Sequence, residues 1–140
     1  MSKSDLLENA LLALIFNATT IPKIAEDLVV SPATTLTVAL HTSDPGEAGN
    51  QTTNEATYGN YVRKAVNRDS GGWTITNDSV SPQSNIEFAQ ASSGSETVTH
   101  FSIGTGTSDN MLYSGTVTPN IVVTTGVTPI LTTASAITEA

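Results

Sequence analysis

Two hydrophobic periods divide the chain. In residues 5–17, DLLENALLALIFN, the apolar positions Leu7, Leu11, Leu14 and Ile15 recur every three or four residues, which predicts a helix. Asp5 reads as its N-cap with Glu8 three residues on as a capping box, and Asn17 with the Thr19–Thr20 pair reads as its stop. Leu6, Ala10, Leu12 and Ala13 fill the remaining faces, so the helix asks for burial nearly all round. It plugs the end of its own core or docks on another protein, and the pattern leaves both open.

From Leu36 the period becomes two. Leu36, Val38 and Leu40 alternate with Thr37, Ala39 and His41, predicting a half-buried strand with His41 in the outward phase. Before it, residues 18–35 read as a connector with turn or strand-edge prolines at Pro22 and Pro32 and a short strand at Val29–Val30. After it, residues 42–60 contain Asp44-Pro45-Gly46 and Gly49-Asn50 turn signals and almost no large apolar residue before Tyr58, so a long exposed loop is expected. A loop of that length is a candidate contact element. Further short strands are predicted at Tyr61–Val66, Trp73–Thr76, Ile86–Ala89, Thr97–Ile103, Met111–Val117, Ile121–Thr124 and Pro129–Thr132, with Ala91–Ser95 and Gly104–Thr107 as loop and turn.

These elements, close to the spacing of 8–12 residues typical of sandwiches and without any βαβ alternation, predict an all-β protein. The expected architecture is an antiparallel jelly roll or β-sandwich of about eight strands with one short N-terminal helix. It forms a single domain over residues 1–140, with helix and connector in 1–35 and the sandwich in 36–140.

Composition reinforces the strand reading and narrows the partners. Only 13% of the residues are charged, against a usual share of about 25%. Thr and Ser supply the polarity instead, and β-branched Thr suits a pleated surface. The net charge of −8 and the scattered basic residues Lys3, Lys23, Arg63, Lys64 and Arg68 argue against a nucleic-acid partner. There is no cysteine, so neither a disulfide framework nor a thiolate metal site is available. The apolar run Leu6–Phe16 is too short to span a bilayer, and Asp5 and Glu8 stand where a secretory leader carries positive charge, so no membrane partner is expected.

Candidate chemistry is thin. His41, Asp44 and Glu47 have the donor types of a metal site, but Asp before Pro-Gly is also ordinary turn chemistry. His100 has no partner discernible in the sequence. No serine occupies a Gly-x-Ser-x-Gly elbow, and Gly104-Thr105-Gly106-Thr107 lacks the Lys-Ser/Thr of a phosphate loop. Asp44, Glu47, Glu55, Glu87 and Glu96 are available as paired carboxylates without any pattern that selects two of them. Asn17, Asn50 and Asn77 head Asn-x-Ser/Thr triplets to which no role is assigned. Tyr58, Tyr61 and Trp73 flank the long loop and offer aromatic contact area, although Trp73, with Ile75 two positions on, points to the core. The expectation is a non-enzyme without cofactor or metal. Its contact residues are Leu7, Leu11, Leu14 and Ile15 on the helix and Asp44, Pro45, Glu47, Asn50 and Tyr58 around the loop.

The string LTVALHTSDPGEAGNQTTNEATYGNYVRKAVNR, followed by GGWTI, SVSPQSNIEF, VTHFSIGTG, LYSGTVTPNIVV and LTTASAITE, resembles a family of small tailed-phage virion proteins over about residues 36–140. The resemblance implies a capsid cement or decoration protein of jelly-roll fold, although family members often carry the label of tail-fibre protein. It further implies the major capsid protein and copies of itself, as dimer or trimer, as partners. The implied location is the outer capsid surface between capsomeres, after synthesis in the bacterial host cytoplasm, and the mechanism is added interface multiplied by symmetry. A tail-fibre or host-receptor-binding module is the alternative. An acidic chain suits a position outside the shell, away from DNA.

Overall fold

The computed structural model describes residues 4–21 and 32–139; the expected turn at Pro22 and short strand at Val29–Val30 lie outside the described residues. A helix, α1 (Asp5–Asn17), precedes nine strands: β1 (Thr35–His41), β2 (Lys64–Asn67), β3 (Trp73–Thr76), β4 (Ser79–Pro82), β5 (Ile86–Glu87), β6 (Ser95–Gly104), β7 (Met111–Thr124), β8 (Ile130–Leu131) and β9 (Ile137–Thr138). All pairings are antiparallel, in sheets ordered β2-β1-β6-β7, β3-β4-β9 and β5-β8. The fold is thus the all-β, antiparallel arrangement expected, with one short N-terminal helix.

The helix occupies the predicted residues, but its cap differs. Ser4 is extended and its Oγ accepts the Leu7 N–H at 3.4 Å, while its carbonyl accepts the Glu8 N–H. Asp5 is therefore the first helical residue, and Glu8 sits one place too far along to close a capping box. At the other end Ala18 turns left-handed with φ 53° and the Thr19 N–H returns to the Ala13 carbonyl at 3.0 Å. The last turn carries no basic residue. Arg68, just beyond β2, supplies that charge from a distance: its guanidinium donates to the carbonyls of Ile15 at 2.6 Å, Leu14 at 2.5 Å and Ala33 at 3.2 Å.

The buried face of α1 also differs from the expected one. Glu8, Leu12 and Phe16 point inward, whereas Leu11, Leu14 and Ile15 are half-buried, Leu7 is 37% exposed and Leu6 is 79% exposed. The helix is not buried all round, because the sheets cover only the stripe four residues apart that runs through Phe16. That ring packs edge-on against Trp73 of β3, with centroids 4.9 Å apart, and tilted against Tyr113 of β7 at 5.8 Å. Phe16 therefore joins the two larger sheets in one hydrophobic cluster with Leu36, Val38, Val98, Phe101, Val80 and Ile137. Full burial of a side chain of this size stabilises by about 1.5–3 kcal/mol from transfer alone.

β1 is inner in its sheet and buried on both faces: Ala39 and His41 are as inaccessible as Val38 and Leu40. The outward phase expected for His41 is wrong because the 42–60 segment folds back along the strand. The Thr42 N–H donates to the Asn54 carbonyl, the Ala56 N–H donates to the Leu40 carbonyl, and Glu55 forms a β-bridge with His41. The two runs expected at Met111–Val117 and Ile121–Thr124 are one strand, β7. The break between them is a bulge, since Val98 pairs with Ile121 and His100 with Thr116, leaving Thr99 opposite four residues. Pro119 fits there because β7 is an edge strand. Phe101 lies over Gly115, where an added Cβ would meet the ring at 3.0 Å.

Candidate functional site

The 42–60 segment, the expected contact loop, is held from beneath by three attachments, the first of them fully buried. In the first, His41 Nδ1 lies 2.7 Å from the Thr53 carbonyl and Nε2 lies 2.7 Å from Ser102 Oγ. A carbonyl only accepts, so Nδ1 carries the proton and Nε2 accepts from the serine hydroxyl. Gln51 Nε2 donates to the Thr37 carbonyl and to Ser102 Oγ, while its Oε1 is buried without a partner. His41, Gln51 and Ser102 are each fully buried. Burial lowers the His41 pKa below its ordinary 6.5, with Arg63 and His100 acting in the same direction and the Thr53 carbonyl and Glu55 against it. A serine hydroxyl on a histidine nitrogen has the look of a nucleophile pair, but no substrate reaches groups with no exposed surface.

In the second attachment, Arg63 grips Glu55 with Nε at 2.7 Å and Nη2 at 2.8 Å, and reaches Asp109 Oδ1 with Nη1 at 2.6 Å. Tyr61 donates its hydroxyl to Glu55 at 3.0 Å and accepts the Leu40 N–H. In the third, Glu96 of β6 accepts the backbone N–H groups of Thr57 and Tyr58 at 3.0 and 3.1 Å. Burial, and then Glu96, push the Tyr58 phenol up to about 12, and its hydroxyl donates to the Ala89 carbonyl. None of these pairings is legible in the sequence, since the partners lie up to 61 residues apart in the chain.

These attachments decide which predicted contact residues remain available. Tyr58 is 3% exposed and Pro45 is buried, so neither offers a surface; the expectation for both is corrected by the folding back of the loop. Tyr61 stacks on Phe88 and meets Tyr58 edge-on, and Trp73 is buried, so the three aromatics form no exposed rim. Asp44, Glu47 and Asn50 are exposed. Asp44 Oδ1 accepts the Gly46 N–H and Asn50 Oδ1 accepts from the Thr52 N–H and hydroxyl, so their side chains shape the turns they stand in. His41, Asp44 and Glu47 do not converge: among the described residues no three His, Cys, Asp or Glu side chains are grouped to hold an ion. His100, without a visible partner in the sequence, lies 2.8 Å from Thr99 Oγ1 through its Nδ1.

The exposed surface thus includes a polar loop rim at Asp44, Glu47 and Asn50, the leucine pair Leu6–Leu7 at the helix start, and an uncharged flank along β7. The polar groups with unusual surroundings, His41, Gln51 and Ser102, lie inside the fold.

Compared with known proteins, residues 2–138 match a family model described as podophage GP4 fiber I protein gp80. No curated protein is similar to the chain.

Proposed function

Since this chain belongs to the podophage GP4 fiber I protein family, a structural virion family, we propose that it is a component of the phage fibre and works by protein–protein contact rather than by chemistry. The observation that carries this reading is the family match across nearly the whole chain. Physical support comes from the interior: the only close Ser–His pair among the described residues is sealed, and both Glu55 and Glu96 are occupied by structural partners. The contacts to the rest of the particle are assigned to the rim residues Asp44, Glu47 and Asn50 and to Leu7 with its neighbour Leu6, the members of the two predicted contact elements with the most open surface.

Immunogold labelling of intact particles with an antibody to this chain tests the proposal. Gold on the fibre is the expected result; gold distributed over the capsid overturns it. That second outcome corresponds to the cement reading, which is favoured by the motif resemblance over residues 36–140 and by the acidic net charge. In that reading the partner is the major capsid protein at the outer shell surface.

A further inference from the structure

The stretch 43–54 carries the exposed rim residues Asp44, Glu47 and Asn50, yet its only buried residues are Pro45 and Gln51. With so little apolar surface covered, it is held by hydrogen bonds and stands at the low-stability end of the fold. Those bonds include the Thr42 N–H to the Asn54 carbonyl, the Gln51 N–H to the Asp109 carbonyl and Gln51 Nε2 to the Thr37 carbonyl, each at 2.9 Å. Another is made by the ring of His41, whose Nδ1 meets the Thr53 carbonyl at 2.7 Å. Beyond Asn54 the loop is fixed differently. Arg63 grips Glu55, Glu96 binds Thr57 and Tyr58, and Ala56 and Tyr58 are buried.

The contacts of His41 fit one protonation state. With the proton on Nδ1, Nε2 offers its lone pair to the Ser102 hydroxyl, and Ser102 Oγ in turn accepts Gln51 Nε2 at 3.3 Å. A second proton on the ring makes Nε2 a donor aimed at the same oxygen from 2.7 Å. Ser102 Oγ then faces two donors, and its own hydrogen loses its acceptor. The charge is also cut off from water, because His41, Gln51 and Ser102 have no exposed surface. Among the described residues, Glu55 of the loop favours that charge, while Arg63 ahead of β2 and His100, which pairs with His41 from β6, oppose it. Asp109 and Tyr61 are bonded to Arg63 and Glu55 respectively. The balance disfavours the charged ring, and the His41 pKa is lowered accordingly. Swinging 43–54 away hydrates the ring for the loss of a few hydrogen bonds, whereas moving β1 breaks its ladders to both β2 and β6. We propose that protonation of His41 releases the stretch 43–54 as a unit while the sheets and the Glu55 and Glu96 anchors stay closed, so that acid frees the contact rim. The release rests on the interior alone; only its effect on contacts rests on the assignment of the rim above, so the two fail separately.

Hydrogen exchange of the isotope-labelled full chain, followed by NMR between about pH 7.5 and 5, is the test; protection factors cancel the intrinsic pH dependence of exchange. The amides of Thr42 and Gln51 are expected to lose protection by up to about tenfold per pH unit below 6.5, the ordinary histidine value. Ala56, bonded to the Leu40 carbonyl, and the amides of β6 are expected to keep theirs. His41→Gln is expected to remove the pH dependence and His100→Gln to leave it. Constant protection at Thr42 and Gln51 overturns the proposal, and so does parallel loss at Ala56 and in β6, which marks global unfolding. A pH dependence that survives His41→Gln, or disappears with His100→Gln, overturns it too. Should His41→Gln fail to fold, the His41 ring signals of the wild type decide. Proton uptake with the loop still protected sinks the proposal, and uptake only together with loss of protection supports it.

Discussion

Replacing Arg68 by Ala removes the one basic group that, among the described residues, binds the C-terminal end of α1. Three guanidinium hydrogen bonds disappear, of which those to Ile15 and Leu14 are partly buried and the one to Ala33 is exposed. Hydrogen bonds to charged groups contribute about 1.5–3 kcal/mol each when well shielded, and partial exposure reduces that. Counting about 1 kcal/mol for each of the two shielded bonds, nothing for the exposed one, and about 0.5 for the lost charge at the helix dipole gives about 2–3 kcal/mol. For a chain of this size that lowers Tm by about 10 °C. Urea denaturation followed by circular dichroism measures the change, and Arg68→Lys, which keeps the charge without the planar fork, is expected to fall between. The reasoning is refuted if Arg68→Ala stays within about 0.5 kcal/mol of wild type, the range of a surface change without consequence.

Other expectations follow from the same contacts. Because burial holds His41 below its ordinary pKa of 6.5, the unfolded chain takes up its proton more readily, so the contribution is neutral above that value and stability falls as pH drops below it. The slope reaches at most about 1.4 kcal/mol per pH unit, and denaturation curves of His41→Gln between pH 7 and 5 are expected to lack it. At Gly104 an added Cβ would lie 2.3 Å from the Asn110 carbonyl oxygen and 2.4 Å from Gln51 Oε1; Gly104→Ala is expected to cost about 1–3 kcal/mol by urea titration. Phe16→Ala is expected to cost about 3–5 kcal/mol and to red-shift the emission of Trp73, the single tryptophan and its edge-on neighbour.

The strong periodic signals in the chain correspond to real elements, and the misreadings have local causes. The helix bounds Asp5–Asn17 and strand Trp73–Thr76 match the structure. The Ser4 cap was obscured by Asp5 beside it, an equally good capping residue. β4 escaped because SVSP has one apolar residue and a proline, and β9 because two residues make no period. The inward face of α1 passes through Glu8, which no hydrophobic pattern selects. His41 kept its period but not its exposure, since burial there depends on a loop anchored by Arg63, Asp109 and Glu96 from distant parts of the chain. The exposed loop rim was legible from polar turn residues; the burial of Pro45 and Tyr58 beside it was not.

A reconstruction of the intact particle bears most directly on the proposal that this chain is a contact-making structural part of the fibre. Density for the nine-stranded fold is expected on the fibre, with Asp44, Glu47 and Leu7 against neighbouring proteins. Density for it at capsomere junctions, or a purified particle that lacks the chain altogether, contradicts it.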